Sequence, residues 1–250
     1  MVVNALSRAA VEDYLKVIFN LAEWDSEDAV SNADVAARLG VSTSSASQMV
    51  RKLTADGLLE HERYGGIALT AAGRRQAMTM VRRHRLVETF LVQMLGYSWD
   101  EVHDEAEVLE HAVSDLLVQR MDAALGHPFR DPHGDPIPTA DGRLHRPQAS
   151  MLAELDPGDS GWIARIIDDN SELLRWFTEN AIALDTAIEV IEQRPFGGPL
   201  VVRVGTASTA HEVELGLEAA TAVWIARVQP GAHRPSTDCP YPECDHGGSE

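Results

Sequence analysis

Residues 42–70 read STSSASQMVRKLTADGLLEHERYGGIALT, and this stretch decides the fold. Ser42 stands at an N-cap position, its hydroxyl able to accept from the backbone N–H groups that open a helix, and Gly57 suits the C-terminal stop of that helix. Immediately upstream, Ser31 begins a shorter helix (NADVAARLG), and Gly40-Val41 turns the chain tightly between the two. Two short helices joined by a glycine turn are helix-turn-helix geometry. From Leu58 to Thr70 two short alternating strands flank Gly65-Gly66, a β-hairpin signal that supplies the wing of a winged helix.

The composition of the second helix bears on its use. Ser42, Thr43, Ser44, Ser45, Ser47 and Gln48 make its start small and polar, and Arg51 and Lys52 make its later turns basic. Small hydroxyls permit close approach to a major-groove floor, Gln can pair with adenine edges, and Arg and Lys take phosphates. We expect Ser42, Ser44, Ser45, Gln48, Arg51, Lys52 and, in the wing, Arg63 to face DNA. The bland alternative is a serine-rich surface helix. Net charge alone argues against DNA, since the 250 residues sum to −18. However, residues 36–85 hold nine Arg plus Lys against three acids, a basic island of +6 in a remainder of −24.

On the N-terminal side, residues 8–24 (RAAVEDYLKVIFNLAEW) place Val11, Tyr14, Leu15, Ile18, Phe19 and Ala22 three and four apart, an amphipathic helix with Asp13 beside its stripe. On the C-terminal side, Thr70 opens a further helix whose Arg82, Arg83 and Arg85 surround His84 and precede Glu88. His84 and Glu88 stand at i, i+4. The stretch HDEAEVLEH, residues 103–111, puts Glu107, Glu110 and His111 at i, i+3 and i+4 of an expected helix, with His103 one turn earlier. Two segments that present His and carboxylate pairs could converge on a divalent metal, whereas a single acidic helix face is usually just solvated. Ser98 is the expected N-cap of this helix, and the surplus of apolar positions from Val102 to Met121 suggests a dimer interface.

Residues 127–138 (HPFRDPHGDPIP) read as a linker and domain boundary. Beyond them, 162–167, 187–191, 200–204, 213–215 and 223–228 are short β-type runs with one helix near 171–180, and the economical reading is a small five-stranded barrel. From residue 230 the chain is rich in Pro, Gly and charge and reads as a disordered tail; its Cys239, Cys244 and His246 could bind a soft metal, but not at standard zinc spacing. Both cysteines lie in that tail, no apolar run reaches membrane-spanning length, and no signal peptide is evident, so a soluble cytoplasmic protein is expected. The expected domains are 1–75 (DNA-binding), 76–145 (helical dimerisation and metal-binding), 149–229 (small barrel) and 230–250 (tail). The fold class is mainly α with small β parts.

In order and in sequence, VEDYLKVIF, ASQMVRKLTADGLL, HRLVETFL and HDEAEVLEHAVSD resemble the diphtheria-toxin-repressor family of metal-dependent transcriptional regulators over nearly all of the first 230 residues. The resemblance implies a homodimer that binds palindromic operator DNA when loaded with Fe(II) or Mn(II), and an SH3-like (FeoA-like) C-terminal domain. It implies a principal metal site of Asp13, Glu107, Glu110 and His111 and a second of His84, Glu88 and His103. Iron regulators of the family carry Met at the position of Asp13 and Cys at that of Glu107. Carboxylates at both positions replace soft sulfur with hard oxygen and suit Mn(II). Short manganese regulators carry a further carboxylate where this chain has Lys16, so two separated sites are expected rather than a two-metal cluster. Longer members add ligands from the barrel to the second site; Asp168, Asp169, Asn170 and Glu172 all stand near the corresponding place, and Asp131 and His133 are further candidates. The expected function is thus a manganese-dependent repressor of metal-uptake genes. The alternatives are an iron-dependent repressor on the same fold, or a carboxylate and histidine metalloenzyme, whose usual Glu-x-x-His or His-Glu-x-x-His patterns this chain lacks.

Overall fold

A computed structural model describes residues 2–24, 30–61 and 66–227, and the chain divides into two compact units. The first comprises Met1–His84 with Ala140–Gly142, the second Arg85–Thr139 with Arg143–Glu250. Arg63, in the wing, and the Cys239, Cys244 and His246 tail lie outside the described residues.

The first unit opens with α1 (Val2–Trp24), which buries Tyr14, Leu15, Ile18 and Phe19 as the periodicity requires and starts six residues before the expected Arg8. Then α2 (Asn32–Arg38) begins with a complete capping box: the Ser31 hydroxyl accepts from the Asp34 N–H, and the Asp34 carboxylate accepts from the Ser31 N–H. Gly40 sits at φ +63°, the left-handed turn that redirects the chain into α3 (Thr43–Ala55), capped by Ser42. Ala46, Val50 and Leu53 of α3 are buried, a narrow apolar edge that leaves the polar face outward. Strands β1 (Leu59–His61) and β2 (Ile67–Leu69) pair antiparallel, Leu59 opposite Leu69. Helix α4 (Ala71–Phe90) starts hard against this hairpin. A Cβ on Gly73 would lie 2.0 Å from the Leu58 carbonyl oxygen, so only glycine fits there.

In the second unit the end of α4 passes into one π-helical turn (Leu91–Leu95), stopped at Gly96 with φ +77°. Two shorter helices follow, α5 (Val102–Leu109) and α6 (Asp115–Ala124). The structure corrects the sequence reading twice here. Ser98 does not cap α5; Glu101 is the N-cap residue, and its carboxylate accepts from the Ser98 N–H. The helix also ends at Leu109, because Ser114 caps a new one, so Glu110 and His111 lie on the turn between α5 and α6. Val87, Leu91, Val102, Ala106 and Met121 form the helical core.

The Pro- and Gly-rich segment 127–138 is not an exposed linker. Asp131, His133, Asp135 and Ile137 within it are buried. Its backbone polar groups are satisfied internally: the Asp131 carboxylate accepts from the N–H groups of His133 and Asp135, each at 2.9 Å. Gly134, at φ +96°, lets the loop lie on the following sheet, since a Cβ there would meet the Ala164 carbonyl oxygen at 2.1 Å.

That sheet has six antiparallel strands rather than five: β3 (Ala149–Met151), β4 (Ser160–Ile166), β5 (Ala187–Gln193), β6 (Leu200–Val204), β7 (His211–Leu215) and β8 (Val223–Ala226), in the order β3-β8-β4-β5-β6-β7. The extra strand, β3, is a three-residue edge too short to show alternation. Helix α7 (Ser171–Glu179) and the short α8 (Leu217–Thr221) close the apolar face, with Phe177, Ile163, Val202 and Leu215 in its core.

Candidate metal centre and DNA-contacting helix

Within the second unit, the residues with metal-ligand chemistry come from four separate segments. Glu88, on the last turns of α4, is fully buried. His103, on the first turn of α5, directs Nδ1 at Glu88 Oε1 (3.2 Å) and at Asp168 Oδ2 (2.9 Å), the latter just beyond β4. Its Nε2 lies 3.6 Å from Glu107 Oε1, one turn along α5. The buried loop supplies Asp131 and His133, and one ligand atom each of Glu88, Asp131 and His133 fall within 4.8 Å of one another. Of the four barrel candidates, Asp168 is thus the one held against His103. Asn170 instead caps α7, accepting from the N–H groups of Glu172 and Leu173, while Asp169 and Glu172 are exposed.

So many carboxylates in a buried space need compensating charge. Burial opposes protonation of His103, yet its hydrogen bonds to Asp168 and Glu88 outweigh that and push its pKa up to about 11. Burial likewise disfavours charge on His133, but Asp168, Glu88 and Asp131 together raise its pKa. Asp131 is raised well above the usual carboxylate range, first by burial and then by Asp135 and Glu88. Arginine completes the balance. The Arg85 guanidinium, one residue beyond His84, lies 3.8 Å from Asp131 and 3.7 Å from Asp135 and donates to the Pro136 carbonyl, and Arg165 Nε donates to Asp135 at 2.6 Å. Protons on imidazole thus occupy a place that a divalent cation would suit. Carboxylates and imidazoles without a thiolate fit a hard or borderline ion such as Mn(II), Fe(II) or Zn(II).

His84 and Glu88 lie one turn apart on α4, with His84 buried in the first unit. Glu110 is fully buried, and His111 Nε2 lies 3.5 Å from its Oε1. Asp13, partly buried, sits on α1 among Tyr14, Leu15 and Lys16.

The recognition-type helix is α3. Ser44, Ser45, Gln48, Arg51 and Lys52 are exposed along it. The Ser42 hydroxyl is engaged by capping and lies within hydrogen-bond distance of the Ser44 and Ser45 hydroxyls, at 2.9 and 2.8 Å, which organises the polar N-terminus.

Three family models match in succession: the iron dependent repressor N-terminal DNA binding domain over residues 7–67, the iron dependent repressor metal binding and dimerisation domain over 70–139, and the FeoA domain over 151–227. The chain belongs to the iron-dependent (diphtheria-toxin) repressor family. The iron-dependent repressor IdeR of Mycobacterium leprae (strain TN) is 31% identical over 232 residues, covering 87% of this chain and 96% of that one. Among solved structures, a manganese-dependent transcriptional repressor in complex with manganese is 51% identical, covers 87% of this chain and 99% of its own, and superposes with a TM-score of 0.82. The manganese regulator SloR is 31% identical with a TM-score of 0.72, over 87% of this chain and 98% of its own. As a member of this family the chain is a metal-dependent, DNA-binding transcriptional repressor and not an enzyme. Its C-terminal sheet is a FeoA domain of SH3-like fold.

Sequence reasoning left three residues of the buried cluster without a role. Asp168 could not be separated from its neighbours, because only the packing of α5 near the end of β4 singles it out. Asp135 and Arg165 gave no signal, since a buried ion pair between a loop and a strand has no periodicity.

Proposed function

We propose that this repressor is manganese-responsive, with Mn(II) as corepressor bound at two sites per subunit. One observation carries the metal assignment: at the two positions that separate the iron and manganese branches, the chain has Asp13 and Glu107, hard oxygen donors in place of sulfur. The likeness to a solved manganese-dependent repressor at 51% identity supports it. The principal ligand set is Asp13, Glu107, Glu110 and His111, and the second is built on His84, Glu88 and His103. Bound Mn(II) supplies positive charge to otherwise repelling carboxylates. An ion held by Asp13 together with the ligands of the dimerisation domain would tie α1 to that domain and so set the two α3 helices of a homodimer at the spacing of half-sites in a palindromic operator. Corepression requires only that the ligand geometry match the DNA-competent state better, and about 1–3 kcal/mol of coupling suffices.

The homodimer reading draws on exposed Met94, Leu95, Leu116 and Leu117 of the helical region, at 55%, 61%, 62% and 46% exposure, large apolar side chains that a second copy would cover. In the DNA reading, Ser42, Ser44, Ser45 and Gln48 meet base edges, and Arg51, Lys52 and Arg63 meet phosphates. No helix among the described residues is long and apolar enough to cross a membrane. In this reading the repressor acts on DNA in the cytoplasm, at metal-uptake genes.

The experiment is anaerobic titration of chelator-treated protein on its own upstream DNA with Mn(II) and with Fe(II). Protection at micromolar Mn(II), with Fe(II) clearly weaker, is the expected result. Equal response to both metals refutes the manganese assignment, and the pair Asp13→Met with Glu107→Cys should shift preference toward Fe(II).

A further inference from the structure

The face of the FeoA sheet that looks away from its core has an uneven profile. Ile188, Val202 and Val204 are buried in that core, so Trp162, Ala187, Glu189 and Arg203, at the alternating positions, stand on the other face. Trp162 lies opposite Ala187, and Gly205, whose N–H donates to the Ala187 carbonyl at 2.8 Å, continues that row just past β6. A tryptophan beside an alanine and a glycine leaves a trough where side chains would otherwise stand. Its volume is about 300 Å³, at the small end of ligand clefts. Glu189 and Arg203, joined at 2.7 Å, bound it two residues along the strands, and the exposed Arg227 also lines it. Two arginines against one acid make this lining cationic in a chain whose net charge is −18.

Arg227 is also the last described residue, so the segment 228–250 departs from the trough itself. The sequence of that segment has the complementary chemistry. Asp238, Glu243, Asp245 and Glu250 stand against Arg234 alone, and Pro240-Tyr241-Pro242 lies between the first two acids. Proline is already fixed at φ, so it loses little freedom on docking, and Pro-rich segments pack on aromatic-lined grooves. We propose that the trough is the docking site of this chain's own segment 238–245, with Pro240-Tyr241-Pro242 against Trp162 and the flanking carboxylates toward Arg203 and Arg227. The intervening residues 228–237 reach roughly 33 Å when extended, enough for the chain to turn back. Tethering holds the motif at an effective concentration on the order of millimolar, so even a weak contact is populated. The small volume suits a few extended residues and not a folded partner.

The test uses full-length, metal-free protein with fluorotryptophan at its five tryptophans, followed by fluorine NMR, and Trp162→Phe assigns the Trp162 line. Two sets of tail variants are compared with the wild type: Asp238→Asn with Glu243→Gln and Asp245→Asn, and Pro240→Gly with Pro242→Gly. Both are expected to move the Trp162 line in the same direction, toward its position in an empty trough, while the Trp99 and Trp176 lines, which pack against the core side of the domain, stay in place. Cys239 and Cys244 are the only cysteines, so a nitroxide is then placed at Cys239 in a Cys244→Ser chain. It should broaden the Trp162 line, and Arg227→Glu should restore most of the lost intensity. A Trp162 line indifferent to both sets of tail variants overturns the proposal, the tail then lying elsewhere or free in solution. Broadening undiminished by Arg227→Glu overturns it in favour of mere proximity through the tether. In an equimolar mixture of fluorinated, unlabelled chains with labelled, non-fluorinated ones, broadening of the Trp162 line overturns it in favour of the tail of a second copy.

Discussion

Lowering the pH should release metal from the second site steeply, and the slope can be worked out from the structure. His103 hydrogen-bonds to Asp168 and Glu88, and its pKa is about 11, so between pH 6 and 8 the folded apo-protein holds that proton almost completely. A metal ion takes the same lone pair, so each binding event must expel a proton. One obligatory proton gives a slope of about one decade in affinity per pH unit. From pH 6.5 to 7.5 the second Mn(II) should therefore bind about tenfold more tightly. Calorimetry in two buffers of different ionisation enthalpy counts the released protons directly, and EPR titration gives the affinities. The same shift affects apo stability with a definite sign. A histidine whose pKa is raised on folding stabilises fully below its unfolded value near 6.5, and this contribution is lost as pH rises through about 11. Zero protons released, or an affinity flat between pH 6 and 8, would show that His103 does not exchange a proton for metal.

Other expectations concern separate elements. Gln48→Ala removes an exposed side chain from α3 and should lower discrimination between operator and unrelated DNA by about 1–3 kcal/mol while leaving most salt-dependent binding, as competition assays at fixed salt would show. Gly73→Ala puts a methyl against the Leu58 carbonyl and should cost about 3 kcal/mol, visible as an earlier denaturation midpoint of the DNA-binding unit; an unchanged midpoint would refute the close approach. Leu116→Glu, at 62% exposure in the isolated chain, should leave the fold within about 0.5 kcal/mol yet convert dimer to monomer in sedimentation. A dimer of undiminished affinity would place the interface elsewhere.

Much of this protein is written in local sequence. The caps at Ser31 and Ser42, the turn at Gly40 and the apolar spacing of α1 are interactions between residues a few positions apart, and a helix-turn-helix is recognisable from them alone. The donor chemistry was legible too, because His and carboxylate side chains declare their chemistry wherever they fold. What local spacing could not decide was which donors meet. It placed Glu110 and His111 inside a helix that in fact ends at Leu109, because Ser114, five residues on, caps the next one. It treated 127–138 as a linker, since proline and glycine mark any irregular backbone, exposed or buried. Only tertiary packing sets Asp168 and the loop's His133 beside His103, residues 30 and more positions apart in the chain, and only there do their charges become one problem. Neighbours in sequence fix helices and turns through short hydrogen bonds. A buried site is fixed by chain closure over long separations, and no periodicity records it.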